Sequence, residues 1–160
     1  VFFPDNDERA LFFCRGVLET VRKLGWKPDI IHCHGWMTAF VPLYIKHFFN
    51  DDPHFEDAKL VYSVYDEKAE ALDKDLAKKL AMEGFNKDLL KGLNKPTTDD
   101  LHKFAMGLCD AAGKGSAKLG RGMENAFKAY EKPVLAYAEE AARVDAHAEF
   151  YHGVLEEALV

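Results

Sequence analysis

The chain has few cysteines. Cys14, Cys33 and Cys109 are widely spaced, odd in number and include no Cys-x-x-Cys pair. That excludes a disulfide framework and a zinc ribbon, and predicts buried apolar thiols in a reducing, cytoplasmic setting. No apolar run approaches the ~20 residues that a membrane span needs. No basic segment leads into a short apolar stretch at the start, so no secretory signal is expected; a first residue of Val1 fits a processed or excised chain. An excess of positive charge is missing too. The formal net charge of −6 argues against a chain built to grip nucleic acid or an anionic membrane. There is no internal repeat and no low-complexity segment.

What is present is an ordinary soluble composition. Of 160 residues, 48% are apolar and 30% charged, enough for one domain with a working core. Asp5 and Glu8 are spaced as a capping box. From there Ala10, Phe13, Cys14, Val17, Leu18, Val21 and Leu24 recur at helical spacing, with Leu11 and Phe12 off the stripe. A helix over about Asp7–Leu24 follows, buried on more than one face and stopped at Gly25. The run at Ile30-Ile31 is too short for a helix, so Asp29–Cys33 reads as a strand. A helix with Met37, Phe40, Val41, Tyr44, Ile45 and Phe48 on one face comes next, Pro42 being tolerated in its first turn. Lys59–Tyr65 is a second strand. Strand, helix, strand implies parallel pairing and a right-handed crossover.

Beyond Asp66 the character turns helical. Helices are expected over Ala69–Leu80, briefly over Asn86–Leu93, and from a Thr98 cap to about Cys109. Ala111–Ser116 has two glycines and no β-branched residue, which makes a poor strand. Ser116–Tyr130 is weakly helical, Pro133–Tyr137 suits a short edge strand, and a last helix spans about Glu139–Ala158. Its stripe is Ala141, Val144, Ala148, Tyr151 and Leu155. Two fold readings follow: an α/β domain with a small, mainly parallel sheet and a helix-rich second half, or a mostly α domain keeping only the two-strand unit.

Asp5-Asn6-Asp7-Glu8-Arg9 and Pro28-Asp29-Ile30-Ile31-His32-Cys33-His34-Gly35-Trp36-Met37-Thr38-Ala39 resemble the N-terminal domain of bacterial glycogen/starch synthases. These are retaining glucosyltransferases that use ADP-glucose. The likeness is closest to short single-domain homologues. It is strongest over residues 1–66 and diverges over the helix-rich 67–160. It implies a Rossmann-like partial parallel sheet of the GT-B N-domain kind, a single incomplete domain over 1–160. Departures from the family pattern share a direction. The family's first strand and Lys-Thr-Gly-Gly loop would precede Val1, and its second, nucleotide-binding domain has no counterpart. In the family word His-x-His-Asp-Trp-His the aspartate is Gly35 and the last histidine Met37. Tyr65-Asp66 stands where the family has His-Asn. A glucosyl transfer needs preorganised polar donors, each worth about 3 kcal/mol of transition-state stabilisation. Their loss predicts no self-sufficient transfer, so no catalytic residue is assigned.

By resemblance, Asp5, Asn6, Arg9, His32, His34, Trp36, Tyr65 and Asp66 are candidate contacts for ADP-glucose or an α-glucan. Each also has a plainer role. Asp5 is a helix cap and Arg9 a surface cation; His32 and His34 are polar residues bonded to neighbouring loops; Trp36 and Tyr65 line a core edge. His32 and His34 lie two apart on a strand and share a face, but only Asp66 stands near as a third ligand, so no metal and no cofactor is expected. Gly107–Gly115 has the wrong spacing for a phosphate loop and reads as a flexible turn. The charged residues of Glu67–Lys91 read as solvated helix surface. The functional expectations are a glycogen/starch-synthase-like domain with weak sugar affinity, or a non-catalytic scaffold or interaction protein. A protein partner or self-association is expected through exposed apolar surface.

Overall fold

The computed structural model describes residues 3–68 and 75–156. Helix α1 (Asn6–Lys23) leads into strand β1 (Ile30–His34), a single 3₁₀ turn (Trp36–Thr38), α2 (Val41–Phe48) and β2 (Lys59–Val64). Then come α3 (Leu76–Met82), α4 (Thr98–Leu108), β3 (Ala111–Lys114), α5 (Arg121–Lys128), β4 (Val134–Leu135) and α6 (Glu140–Glu156). The four strands form one sheet in the order β1-β2-β3-β4, every pair parallel. His34 pairs with Ser63, and Val64 with Lys114. This is the α/β reading; the mostly α alternative fails on β3 and β4.

The strand order never reverses, so right-handed crossovers place the connecting helices on one face of the sheet. Leu60, Tyr62, Val64, Cys33 and Ala112 point to that face. They join Ala10, Cys14, Leu18, Phe40, Leu43, Leu101 and Ala105 in the main core. The other face carries Ile30, Val61 and Ala111. Its cover is α6, through Val154 and Phe150. Cys14, Cys33 and Cys109 are buried free thiols; burial pushes Cys14 up to about 12, so it is inert at neutral pH.

β3 forms despite its composition, and the reason is crowding. A Cβ at Gly113 would lie 2.7 Å from Ser63 Oγ and 3.5 Å from Leu135 Cβ. One at Gly115 would collide with the Tyr65 ring. The small residues of Ala111–Gly115 mark a strand squeezed from both sides, and Gly113-Lys114 belongs to it, not to a flexible turn.

Other boundaries shift for local reasons. Asp5 is the N-cap of α1, but its side chain makes no cap bond; it pairs with Arg9 Nε at 3.0 Å, so no capping box forms there. The box forms at α4, where Thr97 is the cap. Thr97 Oγ1 accepts from Asp100 N, and Asp100 Oδ2 accepts from Thr97 N. α1 buries Asp7, Ala10, Leu11, Cys14 and Leu18, leaving Phe13, Val17 and Leu24 outside with Phe12. Its burial is one-sided, turned from the expected stripe. In α6 only Val154 is buried and Val144 is exposed; of the expected stripe, Tyr151 meets the sheet, through His32. The first part of the helix expected over Ala69–Leu80, and residues 157–158 of the last one, lie outside the described residues.

Candidate functional site

Parallel strands deliver their polar ends to one edge, the usual ligand edge of such sheets. Here β1 ends in His34, β2 runs out into Tyr65-Asp66-Glu67, and β3 ends in Lys114 before Gly115-Ser116. His34 Nδ1 lies 3.0 Å from Tyr65 Oη, and Ser116 Oγ accepts from Asp66 N at 2.9 Å. Gly35 N donates to Ser63 O, and Gly115 N to Val64 O, which ties the loops to the strand ends. His34 Nε2 and the Asp66 carboxylate make no hydrogen bond among the described residues, and both residues are exposed. A cavity of about 260 Å³ lies beside Tyr65, Asp66, Glu67, Asp99 and Met123. Lys114 is committed, paired with Glu124 at 2.7 Å.

Gly35 adopts φ +74°, a left-handed conformation that glycine takes freely. A Cβ there would fall 2.6 Å from Glu67 Oε1. The same oxygen accepts the Trp36 N–H at 2.6 Å. A carboxylate from just past the end of β2 therefore occupies the space into which any side chain at position 35 would project. Burial raises the Glu67 pKa, against the opposing pull of the Trp36 N–H. Glu67 is thus no solvated helix residue; it is half-buried in the loop after β2. Trp36 packs against the edge of the main core. Buried behind Glu67 is His102, whose Nδ1 meets Tyr62 Oη at 2.8 Å. His102 Nε2 has no partner among the described residues and is 3.9 Å from Glu67 Oε1.

His32 has a different fate from His34. Its Nδ1 lies 2.6 Å from Tyr151 Oη of α6 and its Nε2 2.7 Å from Ser63 Oγ of β2. The partners are a helix and a strand, not loops. His32 stacks on His34 with ring centroids 4.0 Å apart, and His147 of α6 lies 6.0 Å away. Burial, then the neighbouring His34 and His147, pulls the His32 pKa down to about 3, and the ring stays neutral. With both nitrogens spent it offers no lone pair to an ion. Among the described residues no three His, Cys, Asp or Glu side chains converge as a metal site.

Asp5, Asn6 and Arg9 form a separate group at the head of α1. Arg9 caps the Phe3 ring at 4.5 Å and pairs with Asp5. Asn6 is buried, and beside it Asp7, fully buried, pairs with Lys79 of α3 at 2.8 Å. No hydrogen bond or ion pair among the described residues links Asp5, Asn6 or Arg9 to His34, Tyr65 or Asp66. Glu67, Ser63, His102 and Tyr151 are not among the candidate contacts in the sequence, which reads Glu67 as solvated surface and Tyr151 as part of the last helix's stripe. Only Glu67 had a signal, its place just past a parallel strand.

Fold and edge together define a Rossmann-like half of the GT-B glycosyltransferase type. The catalytic domain of starch synthase IV from Arabidopsis thaliana, solved with ADP and acarbose, has the same fold. It superposes with a TM-score of 0.65 at 21% identity, over 87% of this chain and 31% of that one. The glycogen synthase of Geotalea daltonii is 46% identical over 63 residues, 39% of this chain and 13% of that protein. That of Chlorobium limicola is 48% identical over 60 residues, 38% and 12% respectively. The match thus spans about an eighth of these relatives. The family model for the starch synthase catalytic domain matches residues 1–127. The chain belongs to that family, as a glycogen/starch-synthase-like domain. Among the described residues no helix is long and apolar enough to cross a membrane.

Proposed function

We propose that this domain recognises a polyhydroxylated ligand of the ADP-glucose or α-glucan kind at the carboxyl edge of its sheet, without turning it over alone. The reading takes residues 1–160 as one domain. Its carrying observation is the pair of uncommitted polar groups at that edge, His34 Nε2 and the Asp66 carboxylate, with the Tyr65 ring beside His34. A sugar offers hydroxyls to bond with both groups and a C–H face to lay on an aromatic ring. Glu67 adds a carboxylate beneath Gly35. Met37 still supplies no donor where the family has histidine, and glucosyl transfer needs such donors preorganised. Asp5, Asn6 and Arg9 make no bond to this edge among the described residues.

The second reading, a non-catalytic scaffold, draws on His32. Its nitrogens are spent on Tyr151 and Ser63, so a residue of the family word serves to dock α6. A ¹⁵N–¹H titration with ADP-glucose, then with a malto-oligosaccharide, separates the two. Saturable shifts at His34–Thr38 and Tyr65–Asp66, with no glucose transfer in a coupled assay, are expected. A spectrum indifferent to both ligands at millimolar concentration leaves the scaffold.

A further inference from the structure

The largest unexplained surface is the outer side of α1. Phe12 is 83% exposed, Leu24 74%, Trp26 61%, Phe13 49% and Val17 39%. Together they leave on the order of 600–700 Å² of apolar surface in water, near the ~800 Å² each partner buries in a standard interface. A monomer's largest apolar patch is typically 300–600 Å², and larger ones mark contact sites. Phe12 rises as a ridge between two grooves. One, about 440 Å³, runs along Gly16, Val17 and Thr20 toward Trp26. The other, about 590 Å³, is floored by Leu11, Tyr44 and Met82.

We propose that this face of α1 is a two-fold interface between two copies of the chain. The argument for a second copy is self-complementarity. A two-fold contact needs knob and hole on the same surface, related by reversal. Along one ridge of α1 the residues Phe12, Gly16, Thr20 and Leu24 run large, small, small, large. Two such ridges laid antiparallel set Phe12 of one copy near Leu24 of the other and let the backbones approach at Gly16 and Thr20. The notch at Gly16 is open, because a Cβ there meets nothing within 4 Å. The interface lies apart from the strand ends, so it stands whether or not sugar binds.

Sedimentation equilibrium of the whole chain over a wide concentration range tests this. A monomer–dimer equilibrium is expected, with Phe12→Asp raising the dissociation constant at least about 30-fold, the effect of one hot-spot side chain. Gly16→Leu puts a side chain into the notch at a site where the added Cβ meets nothing within 4 Å. It should abolish the dimer while leaving the far-UV spectrum and the melting temperature of the monomer intact. A chain that stays monomeric throughout overturns the proposal and leaves the face to a different protein. So does a dimer that survives both substitutions.

Discussion

The two faces of the sheet differ in how they are held. One buries Leu60, Tyr62 and Val64 beneath α1, α2 and α4 in a continuous apolar core. The other has three fully packed residues, Val61, Ala111 and Val154, and relies on a polar latch of Ser63, His32 and Tyr151 to keep α6 in place. The first is secured mainly by area, which is insensitive to pH, with one buried imidazole, His102, bonded to Tyr62. The second is secured by hydrogen bonds to a neutral imidazole, which are pH-sensitive. The lesson is that one sheet can carry a permanent face and a conditional one.

Four changes would sharpen or break that contrast. The largest effect belongs to the apolar face: Leu60→Ala should cost about 3 kcal/mol in a denaturant melt. A loss below about 1 kcal/mol would show that the core is not where stability resides. Acid comes next. His32 is held down to about 3 and His102 down to about 4, both by burial first. The unfolded chain therefore binds protons that the folded chain refuses, and stability falls as pH drops from about 6.5 towards these values. On the order of 2 kcal/mol per histidine should be lost between pH 7 and pH 5. His32→Asn should remove the α6 share and His102→Asn the core share; a flat profile in the parent protein would refute both. Val154→Ala should cost about 1.5 kcal/mol, less than Leu60→Ala, because its cluster is small. Equal costs would erase the difference between the faces. Smallest is Tyr151→Phe, about 1 kcal/mol, read as faster amide exchange confined to α6. Acceleration spread over the whole sheet would contradict a local latch.

The first half of the fold was legible because its signals are local. Ile30–His34 and Lys59–Val64 announce themselves by β-branched residues, and parallel register then sets His34 beside the end of β2. β3 hid because its small residues answer to Ser63, Tyr65 and Leu135, none of them nearby in the chain. Periodicity located α1 yet misjudged which side faced inward, since two apolar stripes overlap along it and only packing chooses between them. Of the candidate contacts, His34, Trp36, Tyr65 and Asp66 lie at or just past the ends of β1 and β2. Asp5, Asn6 and Arg9 do not join them, and the bond from His32 to Tyr151 spans 119 residues, beyond any local pattern.

The unreversed strand order also shapes how the domain can assemble. Each strand pairs with the one made just before it, so the sheet can lengthen at a single growing edge as the chain leaves the ribosome. Among the described residues no later strand wedges between two already joined. α6 follows all four strands in the chain and covers the sheet through Val154 and Phe150, so the sheet can form before its cover does.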